Sequence, residues 1–106
     1  MPKYLIKGSY SHEGLQGMMA AGAASRQAAV ETLAASVGGT VEALYFAFGA
    51  DDVFAIADFP DDEAAAAVGL TVGASGAVSL ETVKLLTVEQ VDTAIGRTVE
   101  YRPPGT

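Results

Sequence analysis

Residues Lys3 to Tyr10 alternate, with Tyr4, Ile6 and Tyr10 on one face and Leu5, Lys3 and Lys7 on the other. A period of two marks a half-buried β-strand. From Ser11 onward the period lengthens: Leu15, Met19, Gly22, Arg26, Ala29, Val30, Leu33 and Val37 recur at steps of three and four, which predicts one long helix over about 12–37. Ser11 is suited to accept a hydrogen bond from a free helix N–H, and Glu13 sits where the macrodipole favours an anion. Gly38-Gly39 supplies the left-handed residue that stops a helix.

Thr40 to Phe48 and Phe54 to Phe59 are both rich in β-formers. The short polar link Gly49-Ala50-Asp51-Asp52 between them predicts a hairpin, which Pro60 ends. Pro60-Asp61-Asp62-Glu63 then starts a second helix, with Ala65, Val68 and Val72 along its inner side and Gly73 and Gly76 closing it. Val78 to Leu86 reads as a fourth strand. Thr87-Val88-Glu89-Gln90 is a capping box opening a short helix that should turn Val91 and Ile95 inward and end at Gly96. Beyond it, Thr98 to Tyr101 has strand character, expected to lie along a sheet edge ahead of Pro103-Pro104.

The order strand, helix, strand, strand, helix, strand is that of an α+β, ferredoxin-like βαββαβ domain: a four-stranded antiparallel sheet with two main helices on one face. We place this domain at residues 1–96, with a C-terminal extension at 97–106. Both faces of the second strand are apolar, Leu44, Phe46 and Phe48 on one side and Val41, Ala43 and Tyr45 on the other. Two helices cover one sheet face only, so the other should pack against another copy or enclose a ligand.

Composition narrows the function classes. The 106 residues include 20 alanines, which leaves a thin core, and a domain of this size buries only about 60 to 70 % of its unfolded surface. The formal charge of -7 disfavours nucleic acid and anionic membrane as partners. With no cysteine there are no disulfides, thiol nucleophiles or thiolate metal sites. Ala64 to Leu80 is uncharged but broken by Gly69, Gly73 and Gly76, and Met1 to Gly8 lacks the apolar stretch of a signal peptide; a soluble cytoplasmic protein is the expectation.

Four stretches stand out together: Tyr10-Ser11-His12-Glu13-Gly14; Arg26; Gly38-Gly39 followed by Tyr45 and Gly49-Ala50-Asp51-Asp52; and Phe59-Pro60-Asp61-Asp62-Glu63-Ala64-Ala65. As a set they resemble the GYD-domain family of small bacterial proteins. The chain departs from the family's Gly-x-Tyr-Asp motif by carrying Asp51 where tyrosine is expected, while Asp52 keeps its place. The resemblance implies a dimeric α/β barrel, a homo-oligomer of at least two chains. It is similar, at the level of fold, to barrels that include cofactor-free oxygenases and small-molecule-binding proteins.

His12, the only histidine, is either a general acid/base candidate or a surface residue at a helix start. Asp52 is the alternative base. Arg26 falls on the apolar stripe of its helix, where its charge must pair with Asp52 or Asp58, snorkel out, or hold an anionic ligand. Tyr4, Tyr10 and Tyr45 are suited to core or interface packing, or to hydrogen-bonding a polar group on a mainly apolar ligand. Met18-Met19 serves as core filling or adaptable lining, and the acids Asp58, Asp61, Asp62 and Glu63 read as complements to a helix N-terminus. No phosphate loop, nucleophile elbow or metal-ligand spacing is present, so no cofactor or metal is expected. The leading expectation is a small apolar molecule bound by Tyr10, His12, Arg26, Tyr45 and Asp52 in a cavity of an oligomer. A cofactor-independent oxygenase or isomerase using His12 or Asp52 as base is the enzymatic alternative, and a structural or regulatory homo-oligomeric module is the third.

Overall fold

The computed structural model describes residues 1–105. Its elements are β1 (Lys3–Tyr10), α1 (His12–Ala21), α2 (Ala23–Ala35), β2 (Thr40–Phe46), β3 (Val53–Asp58), α3 (Asp62–Ser75), β4 (Val78–Leu85) and α4 (Val88–Ile95). The strands form one antiparallel sheet in the order β2-β3-β1-β4, the ferredoxin-like arrangement expected from the element order. Among the described residues no helix is long and apolar enough to cross a membrane.

The alternation in β1 sends Tyr4 and Ile6 toward the helices. Tyr4, Ala57 and Phe59 from the sheet side, Ala34 from α2, and Ala65 and Val68 from α3 make the buried core, with Leu33, Val37, Val41 and Val72 packed around it. Of the side chains predicted for the inner face of α3, Ala65 and Val68 are buried and Val72 is half-buried against them. Asp61 caps α3 by accepting from the Ala64 N–H at 2.8 Å, and Gly76 closes it in the left-handed region at φ +74°.

Four local expectations need correction. The single helix over 12–37 is two helices, because Gly22 adopts φ +91°, ψ 157°, a region that glycine enters at no steric cost. Strand two ends at Phe46, and a bulge between Val41 and Ala43 moves Val41 to the helix face with Leu44 and Phe46, leaving Ala43 and Tyr45 on the other. Val91 and Ile95 of α4 are exposed, although the capping box forms in full: the Thr87 side chain accepts from Gln90 N–H, and the Gln90 side chain accepts from Thr87 N–H. Thr98 to Tyr101 pairs with no strand.

The sheet's second face is left open by its own helices. Register places Ala43, Ile56, Leu5 and Val83 in one apolar row across all four strands. Charged pairs flank the row: Lys3 with Asp58 at 3.0 Å and Glu42 at 3.1 Å on one side, and Lys7 with Glu81 at 3.2 Å on the other.

Candidate functional site

The core fills the Tyr4 end of the sheet. At the Tyr10 end the helices separate over the sheet and leave a cleft of about 740 Å³. Its walls are the end of β1, α1, the first half of α2, the last turn of α3 and the start of β4. Beneath it lies a small apolar pocket of about 70 Å³, lined among others by Ile6, Val30, Leu44, Val68 and Leu80. Tyr10 and Arg26 line both spaces.

Backbone bonds explain how these side chains come to face each other. Tyr10 ends β1, and its N–H donates to Asp52 Oδ2 at 2.8 Å, so that carboxylate continues the ladder after the main chain of the hairpin turns away. Asp52 N–H donates to Gly8 O at 2.8 Å, and the Ser9 hydroxyl is shared between Ala50 O at 2.8 Å and Asp51 Oδ1 at 3.3 Å. The hairpin loop is thereby tied to the last residues of β1.

The next residue, Ser11, donates its N–H to Ala77 O at 2.9 Å and accepts from Gly14 N–H at 3.1 Å, fixing the start of α1 against the start of β4. Gly14 is required by this approach, since a Cβ there would stand 2.2 Å from Ala77 O. Gly22 then breaks the chain direction, and Arg26 follows one turn into α2, its N–H donating to Gly22 O at 3.2 Å.

Arg26 is a half-buried residue whose guanidinium has no ion-pair partner among the described residues. Both carboxylates considered for it are committed elsewhere, Asp52 to the Tyr10 amide and Asp58 to Lys3. Glu13 also lines the cleft without a salt bridge to Arg26. A guanidinium beside an apolar floor suits a planar anion such as a carboxylate, which its fork of donors meets with two parallel bonds.

Of the five ligand-binding candidates, Tyr10 and Arg26 share the cleft. Asp52 acts on Tyr10 through the backbone and does not line it; His12 is exposed at the first position of α1, and Tyr45 is exposed on the open sheet face. Neither the cleft nor the inner pocket is lined by all three of His12, Arg26 and Asp52, whose convergence would mark acid/base chemistry. Met18 lines the cleft, whereas Met19 points to solvent. Sequence reading missed the wall made by Thr71, Val72, Ser75, Gly76 and Ala77. The signal was the run of small residues Gly73 to Ala77, which offers no bulky side chain to fill the space between α3 and α1. No three His, Cys, Asp or Glu side chains cluster to hold a metal among the described residues.

Away from the cleft, the Tyr4 hydroxyl donates to the Asp62 carboxylate, which Lys84 also approaches at 2.9 Å. Burial first, then this bond and the neighbouring acids, push the Tyr4 phenol up to about 12; the same bond, then Lys84, hold the Asp62 carboxyl below its ordinary value.

Fold and cleft together define a ferredoxin-like α+β domain whose helix layer is closed at one end and open at the other. The GYD domain family model matches residues 4–95, and the chain belongs to that family. Comparisons with curated proteins and with solved structures find no match.

Proposed function

We propose that this GYD domain binds a small, mainly apolar molecule carrying one anionic group, and that it does so as a homo-oligomer paired through the open sheet face. The observation that carries the binding reading is Arg26: a half-buried cation without an ion-pair partner among the described residues, in the wall of a cleft of about 740 Å³. That volume falls within the range of about 300–1,000 Å³ typical of small-molecule sites. The anionic group pairs with Arg26, Tyr10 lies beside it, and the apolar body rests on Leu33, Val72 and Val78 above the inner pocket.

Octanoate and 1-octanol are suitable probes because they differ in the head group alone. Amide shifts on titration should identify the cleft, with octanoate bound more tightly than octanol. Arg26→Met keeps most of the stem and removes the charge, so octanoate affinity should fall by about 10- to 100-fold, the scale of a lost charge-assisted bond, with the melting temperature nearly unchanged. Equal octanoate affinity in wild type and Arg26→Met would refute the proposal.

A further inference from the structure

α4 is well formed but has no place on its own domain. Its eight residues are fewer than the roughly 12 to 15 that an isolated helix needs for even marginal stability in water, so it requires a packing partner. Val88, Val91 and Ile95 stand on one face at helical spacing and are 80 %, 42 % and 76 % exposed. Among the described residues no other helix or strand packs substantially against α4. With α4 and the exposed segment 96–105 that follows it, the chain measures 57 × 33 × 23 Å with a radius of gyration of 17.0 Å, where a compact domain of this length has about 13 Å.

The surface area identifies the occupant. A compact monomer of this mass exposes about 5,500 Å². This chain exposes 7191 Å², an excess of about 1,700 Å², within the range one side of an obligate homodimer buries. Exposed apolar side chains also follow one another along the chain, from Val83 on the open sheet face through Leu86 to Val88, Val91 and Ile95 on the arm. Stacked sheets lie only about 10 Å apart, so a second copy seated on the open face comes within reach of an arm that extends the molecule to 57 Å.

We propose that α4 is an exchanged arm: in a dimer paired through the open sheet faces, each copy lays its Val88-Val91-Ile95 stripe against the other copy. The proposal rests on the sheet-face pairing put forward above and adds a second contact, reciprocal by two-fold symmetry. It gives the capping box a role, since a pre-formed arm loses less freedom when it docks.

The absence of cysteine makes a single introduced thiol unique. Thr93, opposite the stripe, takes a nitroxide as Thr93→Cys. Unlabelled chains carrying the nitroxide are unfolded together with ¹⁵N-labelled chains lacking it, and the mixture is refolded. Docking across the dimer broadens amides of the ¹⁵N chains. Broadening of amides outside α4 only when the ¹⁵N chain carries its own nitroxide, in dilution with unmodified chains, would show the arm folded on its own body; broadening confined to α4 and its chain neighbours in that sample, with none in the mixed sample, would show it undocked, and both results overturn the exchange.

Sedimentation of the full chain separates the two readings. Val91→Glu with Ile95→Glu should raise the dimer dissociation constant at least about tenfold by placing charges in the interface. Val83→Glu, checked for folding by circular dichroism, should weaken the sheet contact. Dissociation by Val83→Glu with no effect of the arm variant overturns the arm and leaves sheet pairing standing; a monomeric wild type overturns both.

Discussion

Replacing Tyr4 by phenylalanine isolates one hydrogen bond. The ring is 3 % exposed and meets Phe59 edge-on at 5.6 Å and 61°, so Tyr4→Phe keeps the packing and removes only the hydroxyl that donates to Asp62. A bond to a charged acceptor contributes about 1.5–3 kcal/mol. Asp62 is 60 % exposed and keeps Lys84, so water and the ammonium recover part of the loss, and about 1–1.5 kcal/mol remains. With an unfolding entropy of about 2.1 cal/mol/K per residue, this lowers the melting temperature by about 5–7 °C at neutral pH.

The pH dependence supplies an independent check. Because the folded phenol is raised to about 12 from its ordinary value of 10.0, its contribution is intact below pH 10 and is lost as pH rises toward 12. The advantage of wild type over Tyr4→Phe should therefore shrink from pH 10 upward. Asp62 behaves in the opposite sense: its carboxyl is lowered from 3.8, so its contribution is present above that value and is lost as pH falls through the folded one. Asp62→Asn should flatten this part of the acid limb. Differential scanning calorimetry of the three proteins from pH 2 to 12 reads all of this, and a Tyr4→Phe melt within about 1 °C of wild type at pH 7, or a constant difference through the alkaline range, would refute the reasoning.

Asp52→Ala strands the Tyr10 N–H at the end of β1, which should cost about 1–2 kcal/mol in urea unfolding and speed amide exchange at Tyr10; unchanged exchange would show that Asp52 does not hold the strand end. In Gly14→Ala the new Cβ meets Ala77 O, so α1 must shift and the bond from Ser11 to Ala77 must lengthen. A loss of about 1–3 kcal/mol is expected, with amide shifts concentrated at the α1–β4 junction, and wild-type stability with unmoved α1 resonances would contradict the close approach.

Local chemistry was legible in the sequence wherever its cause lies within a few residues. The alternation of Tyr4 and Ile6 against Leu5 names both faces of β1, and the inner side of α3 follows from Ala65, Val68 and Val72, because strand and helix periods are properties of the backbone. Caps are equally local: the Thr87–Gln90 box forms as its spacing demands. Arg26 was recognisable as a charge on an apolar stripe.

Tertiary structure decided what depends on partners distant in the chain. Gly22 looks like any tolerated helix glycine, and only the separate seats of α1 at the start of β4 and α2 beside β2 turn it into a break. The bulge that moves Val41 into the core is set by pairing with β3, which a reading of β2 alone does not contain. Amphipathicity in α4 announces an apolar face but not what covers it, so Val91 and Ile95 read as inward and stand outside. For Arg26, Asp52 and Asp58 were both candidate partners by composition, and the fold engages each with another group, leaving the guanidinium at the cleft. Periodicity is written in the order of side chains along the chain, whereas pairing depends on which groups the backbone path brings within a few ångströms of one another.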